Sequence, residues 1–226
     1  MTTERPRVST VIAVRDGEAF LAEAIESALS QTEPPAELIV VEDSSTDRSA
    51  EIARSYAPDV LLIQPEPRGL GGARNAGVEA SSGELLAFLD SDDLWEPRKL
   101  ELQLAAFERH PALDFVFSRA QEFASERDAE RFEVRPGAQP GGLASSLLAR
   151  REAIERAGGF DIDVRLADVL TWLSRARNLG MRETTLPDVL VRRRVHANNL
   201  TRVHRNNMSE YARVLKESLD RRRESA

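Results

Sequence analysis

One stretch limits what this chain can fold into more than any other: GELLAFLDSDDLW, Gly83 to Trp95. Leu85 to Leu89 is an apolar run with the length and composition of a buried strand. It breaks at once into Asp90, Ser91, Asp92 and Asp93. Crowded carboxylates repel and raise one another's pKa unless a cation sits among them. Hard divalent ions such as Mg²⁺ or Mn²⁺ favour oxygen ligands of this kind. In an open α/β sheet, ligands bind outside the carboxyl ends of the strands. The local reading is therefore a metal at a strand end, gripping a phosphate. The competing reading is a solvated acidic turn that leads into the helix after Trp95-Glu96-Pro97.

The strands before this stretch set the fold class. Val8 to Val14 (VSTVIAV) and Glu37 to Val41 (ELIVV) read as buried strands, and Asp59 to Gln64 (DVLLIQ) as a third. Between the first two, Phe20, Leu21, Ala24, Ile25, Ala28 and Leu29 recur at helical spacing, which predicts an amphipathic helix over Glu18 to Gln31. Ser45 or Thr46 is placed to cap a second helix running to about Tyr56. Such alternation implies an α/β, doubly wound, mostly parallel sheet with right-handed crossovers. Gly69, Gly71 and Gly72 then form a loop that could approach an anion, a weak signal by itself, ahead of a helix over Ala73 to Ala80. Arg74 in that helix is placed to neutralise phosphate or to shape the site; a plain surface arginine fits the spacing equally well.

After Trp95 the pattern predicts a helix over Pro97 to His110, a strand over Asp114 to Ser118 and a short strand over Val189 to Val191. Ala124 to Gly142 has little periodicity and reads as a mobile loop or lid. Gly158-Gly159 ends a helix over Arg150 to Ala157. Asp168 opens a helix with Trp172, Leu173 and Ala176 inward; on spacing alone it is a cap. Asn206 to Arg223 reads as a charged helix. Its basic tip, Arg221 to Arg223, is a candidate for peripheral contact with an anionic membrane, although such runs are more often solvated helix ends. The 226 residues carry a net charge of -7, which argues against a nucleic-acid binder. The chain has no cysteine, which excludes disulfides and thiolate zinc sites and fits a reducing compartment, so a cytoplasmic location is expected. No apolar run has the length of a signal peptide or membrane span.

VSTVIAVRDGEAFLAEAIESALSQT, ELIVVEDSSTDRS, GLGGARNAGVEASSGELLAFLDSDDLW and AGGFD occur in this order. With that ordered set, the chain resembles family 2 glycosyltransferases of the GT-A fold over residues 8–196, most tightly through Trp95. The resemblance implies a single GT-A domain over 1–226. A Rossmann-like nucleotide-sugar half would cover about 8–95, an acceptor-side half about 96–200, and a C-terminal helix 201–226. It implies a metal-dependent, inverting transfer from a nucleoside-diphosphate sugar, foremost a UDP-sugar, with Mn²⁺ or Mg²⁺ as cofactor. The acceptor is an unidentified hydroxyl on a saccharide, lipid-linked saccharide, peptide or small molecule. Asp43 matches the acid that reads the nucleotide base, and Val14 and Arg15 lie where the first strand meets that base. Asp90, Ser91 and Asp92 match the family's Asp-any-Asp motif. Asp92 is the expected direct metal ligand, Asp90 the ribose or water-mediated partner, and Ser91, like Arg74, part of the donor site. Asp168 matches the general base, and His196 lies where some members place a residue against the diphosphate or metal.

The chain departs from the family pattern at three places. Ala167-Asp168 stands where Glu-Asp is usual, Glu42 where Asp is frequent, and Ser174, followed by Arg175, where an arginine is common. Two alternatives stay open on the sequence. A nucleotide-sugar-binding homologue without turnover is motivated by Ala167 and Ser174. A sugar-phosphate nucleotidyltransferase would normally carry its Gly-rich loop after the first strand, where RDGEAF stands here.

Overall fold

Four parallel strands form the amino-terminal half of the sheet: β1 (Val8–Val14), β2 (Glu37–Glu42), β3 (Leu61–Ile63) and β4 (Leu85–Asp90), in the order β3-β2-β1-β4. All seven residues of β1 are buried, because helices cover both faces of the sheet. Strand alternation divides the core. Ile12, Val40, Leu85 and Leu89 point to the face covered by α1 (Leu21–Leu29) and α2 (Ser49–Ser55). Val11, Ile39, Leu86 and Phe88 point to the face covered by α3 (Gly69–Ala80). Gly77 lets α3 lie close, since a Cβ there would come 2.3 Å from Val11 Cγ1. The computed structural model describes residues 5–125, 128–164 and 167–199; the expected helix over Asn206 to Arg223, with its membrane contact, lies outside the described residues.

The second half adds β5 (Leu94–Trp95), α4 (Lys99–Arg109), β6 (Phe115–Ala124), β7 (Ala138–Gln139), a 3₁₀ turn (Ala144–Ser146), β8 (Leu148–Arg150), α5 (Arg151–Arg156), α6 (Asp168–Asn178) and β9 (Glu183–Val195). The sheet continues β4-β8-β6-β9-β5, with β7 on β6. β8 is antiparallel to β4, pairing Ala87 with Leu148, and to β6. β9 is parallel to β6, with Phe115 opposite Glu183. The sheet is thus purely parallel through β4 and mixed beyond it, flanked by helices, as the sequence pattern implies for its first half. Among the described residues, no helix is long and apolar enough to cross a membrane.

Several local expectations need correction. Gly69, Gly71 and Gly72 lie inside α3, not in a loop before it. Neither Ser45 nor Thr46 caps α2, which starts at Ser49; both are engaged by Asp16 instead. β9 runs for 13 residues rather than three, across Pro187 and a register shift opposite Phe117 to Ala120. Within Ala124 to Gly142, the segment read as a mobile loop or lid, β7 pairs with β6 and Arg135 forms an ion pair with Glu122, neither of which tests that reading.

Candidate active site at the carboxyl ends of the strands

The turns after β1 and β2 build the first wall. Val14 is 2% exposed and its carbonyl accepts the Asp43 N–H at 2.9 Å. Asp43 is buried at the end of β2 and accepts the Arg68 N–H at 3.2 Å. Asp16 (φ 50) and Ser44 (φ 61) both sit in the left-handed region, where non-glycine residues are uncommon. They persist because the two turns are laced together. Ser45 Oγ accepts the Asp16 N–H at 3.0 Å, and Asp16 Oδ1 accepts the Thr46 N–H at 2.7 Å. Burial alone would raise the Glu42 carboxyl, but hydrogen bonds from Ser45 and Gln64 outweigh it and hold the group below its usual range. Arg15 is exposed at the mouth. Ser91 abuts this wall: a Cβ on Gly17 would meet Val14 Cγ2 at 2.6 Å and Ser91 Oγ at 3.2 Å.

The acidic turn after β4 is the second wall. Arg74, only 3% exposed, forms ion pairs with both Asp90 and Asp168. Burial, with the charges of Asp92 and Asp168, pushes the Asp90 carboxyl up despite Arg74. Asp93 is buried; its Oδ2 accepts the Ser145 hydroxyl at 2.7 Å and its Oδ1 the Arg194 N–H at 3.0 Å. Burial, with Asp92 and Asp90 beside it, pushes Asp93 well above the ordinary carboxylate range. Ser145 Oγ also accepts the Asp90 N–H at 3.1 Å, so one hydroxyl fixes both ends of the turn. Asp92 is partly exposed, and its Oδ2 lies 3.0 Å from His196 Nε2 and 3.1 Å from Asn199 Nδ2.

These groups fit a hard divalent ion. Asp90, Asp92 and His196 offer carboxylate oxygen and imidazole nitrogen, donor types that such ions accept. Among the described residues, no three His, Cys, Asp or Glu groups are arranged as a full ligand set. Mg²⁺-type sites commonly use one or two carboxylates and take remaining ligands from water and substrate phosphate.

Asp168 completes the cleft. It is the first residue of α6, as its spacing predicts, but it is no cap: its carboxylate turns to Arg74, and the helix start has no side-chain cap. Gly71 permits this approach, because a Cβ there would lie 2.2 Å from the Asp161 carbonyl oxygen and 3.6 Å from Asp168 Cβ. The Asn75 amide donates to the Phe160 carbonyl and accepts the Phe160 N–H, both at 2.8 Å. Arg175 donates to the carbonyls of Ala157 and Gly159, tying α6 to the glycine turn after α5. Asp90, Asp92, Asp168, Arg74, Ser91 and His196 therefore belong to one connected cluster, with Val14, Arg15 and Asp43 in the turns beside it. Sequence reasoning missed Asn75, Ser145 and Asn199. Asn75 had a signal, standing beside Arg74; the other two had none.

A family model described as glycosyl transferase family 2 matches residues 9–157. An uncharacterised glycosyltransferase of Rickettsia typhi is 34% identical over 134 residues, 59% of this chain and 42% of that relative. The chain thus spans less than half the length of that relative. The crystal structure of S. aureus TarS 1-349 in complex with UDP-GlcNAc is similar at a TM-score of 0.72 and 19% identity, covering 85% of this chain and 60% of that one. Mannosyltransferase PcManGT from Pyrobaculum calidifontis, in complex with GDP-Man and Mn²⁺, is similar at 0.67 and 24%, covering 87% and 59%. The two structures share the fold, and the family model's match spans the turns after β1 and β2, Arg74 and the acidic turn. The chain belongs to glycosyl transferase family 2.

Proposed function

We propose that this chain transfers a glycosyl group from a nucleoside-diphosphate sugar, foremost a UDP-sugar, to an acceptor hydroxyl, with inversion and with Mn²⁺ or Mg²⁺ bound. The observation that carries this reading is the Asp90–Arg74–Asp168 bridge. One guanidinium reaches both carboxylates, so the candidate base stands beside the candidate donor site. The UDP-GlcNAc of the TarS structure, and the GDP-Man and Mn²⁺ of the mannosyltransferase, support a nucleotide-sugar donor and a metal.

In this reading Asp43, with Val14 and Arg15, takes the base, and Asp90 takes the ribose with Ser91 beside it. Asp92 and His196 would hold the ion, which offsets the charge that develops on the departing diphosphate. Asp168 accepts the proton of the acceptor hydroxyl. That oxygen bonds to the anomeric carbon on the face opposite the phosphate, while the carbon–phosphate oxygen bond breaks and its electrons leave with the nucleoside diphosphate. General base catalysis of this kind contributes roughly 10²–10⁴-fold. Arg74 positions Asp168 instead of serving the phosphate, since two carboxylates already enclose it. Asp168 is 3% exposed, so acceptor access to it calls for local movement around its carboxylate.

A panel of UDP-, GDP-, dTDP- and CDP-sugars with Mn²⁺ or Mg²⁺, read by released nucleoside diphosphate, tests the proposal. One nucleotide series should be turned over, and Asp92→Asn should abolish that turnover. Pyrophosphate release from a nucleoside triphosphate would instead indicate nucleotidyl transfer. Tight nucleotide binding without release on any acceptor would indicate a binding protein.

A further inference from the structure

Asp92 is held by a turn far away in the chain, outside the residues 9–157 that the family model matches. Asn199, 8% exposed in the turn after β9, uses its whole amide. Its Oδ1 accepts the His196 N–H at 2.7 Å, and its Nδ2 donates to the Arg194 carbonyl and to Asp92 Oδ2, both at 3.1 Å. His196 Nε2 lies 3.0 Å from the same Asp92 oxygen. Arg194 secures the platform. Its Nε donates to the Asp92 carbonyl at 3.0 Å, and its guanidinium lies between the Phe20 and Phe123 rings at 4.5 and 4.7 Å. Asp92 Oδ2 therefore accepts the Asn199 amide and faces His196 Nε2, whereas Oδ1 has no hydrogen-bond partner among the described residues.

We propose that Asn199 is a positioning residue: it anchors the Asp92 carboxylate through Oδ2 and leaves Oδ1 as the oxygen offered to the divalent cation. This rests on the metal reading of Asp92. A primary amide suits the task, because it donates a hydrogen bond without a charge that would compete with the ion. Groups that orient a ligand from behind typically affect metal affinity 10–100-fold when lost.

The test is calorimetry of UDP binding, with GDP in parallel, with and without Mn²⁺, for wild type, Asn199→Ala and Asn199→Asp. Aspartate keeps an acceptor for the His196 N–H but turns a carboxylate oxygen, not a donor, toward Asp92. The gain in nucleotide affinity that Mn²⁺ confers should fall at least about tenfold in both variants, with no rescue by aspartate. If Asn199 acted only through the acceptor bond of its Oδ1 to the His196 N–H, aspartate would restore the wild-type gain, and the proposal would be overturned. A gain of Mn²⁺ affinity in Asn199→Asp would place residue 199 on the ion itself and also overturn it. Wild-type binding that ignores Mn²⁺ would remove the metal reading and this proposal with it. A wild type that responds to Mn²⁺, with variants that match it, would remove this proposal alone.

Discussion

Arg74 carries one positive charge into a pocket with two carboxylates, and its planar fork serves both at once. Lysine can offer a point charge but not that geometry. Removing one partner of a buried ion pair costs about 3–5 kcal/mol, because the other charge is left uncompensated. Arg74→Met should therefore lower the melting temperature strongly, while Arg74→Lys should lower it less yet still depress transfer. Thermal unfolding alongside turnover checks this; a fully active Arg74→Met would contradict it. Glu37 offers a separate test, remote from the site. Burial would raise its carboxyl, but hydrogen bonds from the Ser82 backbone, the Ser82 hydroxyl and the Ser9 hydroxyl prevail and lower it from 4.5 to about 2. A depressed folded-state pKa contributes stability above the unfolded value and loses it as pH falls through the folded one. The contribution is at most about 3 kcal/mol, present above pH 4.5 and fading toward pH 2. Chemical denaturation of wild type and Glu37→Gln should thus show a gap at pH 6 that closes as pH drops. A gap independent of pH would rule this out.

Element by element, α6 links packing to chemistry. Its first residue is Asp168, and one turn on, Trp172 is fully buried, 5.0 Å edge-on to Phe115 and 6.2 Å from Phe160. The Trp172 Nε1 has no hydrogen-bond partner among the described residues, so the ring works through its bulk alone. Trp172→Ala should cost roughly 3–5 kcal/mol and displace Asp168, whereas Trp172→Phe should cost clearly less. Denaturant titration of both variants measures the difference; equal losses would contradict the packing account. The same helix shows what the sequence can display. The inward set of Trp172, Leu173 and Ala176 was legible because helical spacing writes burial directly into the chain. The partnership of Asp168 with Arg74 was not, because 94 positions separate them and no local pattern encodes a contact at that range. β1, β2 and β4 were legible because burial on both faces leaves uninterrupted apolar runs. β9 was not, because its first seven residues are partly or fully exposed and include Thr, Pro and Asp. Ser45 and Thr46 looked like caps but are engaged across the fold by Asp16, a tertiary choice that local propensity does not contain.

At the scale of the whole molecule, one sheet, nine-stranded among the described residues, carries the turns after β1 and β2 and the acidic turn after β4, to which Arg74 ties Asp168 of α6. The fold class was legible from ordered motifs; the cross-chain ties through Ser145, Arg194 and Asn199 emerge only once the second half folds back on the first. The central claim is that this convergence makes Asp168 the base of a glycosyl transfer. The most direct test is Asp168→Asn, which keeps an oxygen for Arg74 but cannot take a proton at neutral pH. Transfer from the donor that the panel identifies should be measured together with affinity for the matching nucleoside diphosphate. The account predicts that transfer falls by at least about a hundredfold while nucleotide affinity stays within a few-fold of wild type. Transfer retained at the wild-type rate in Asp168→Asn would contradict it.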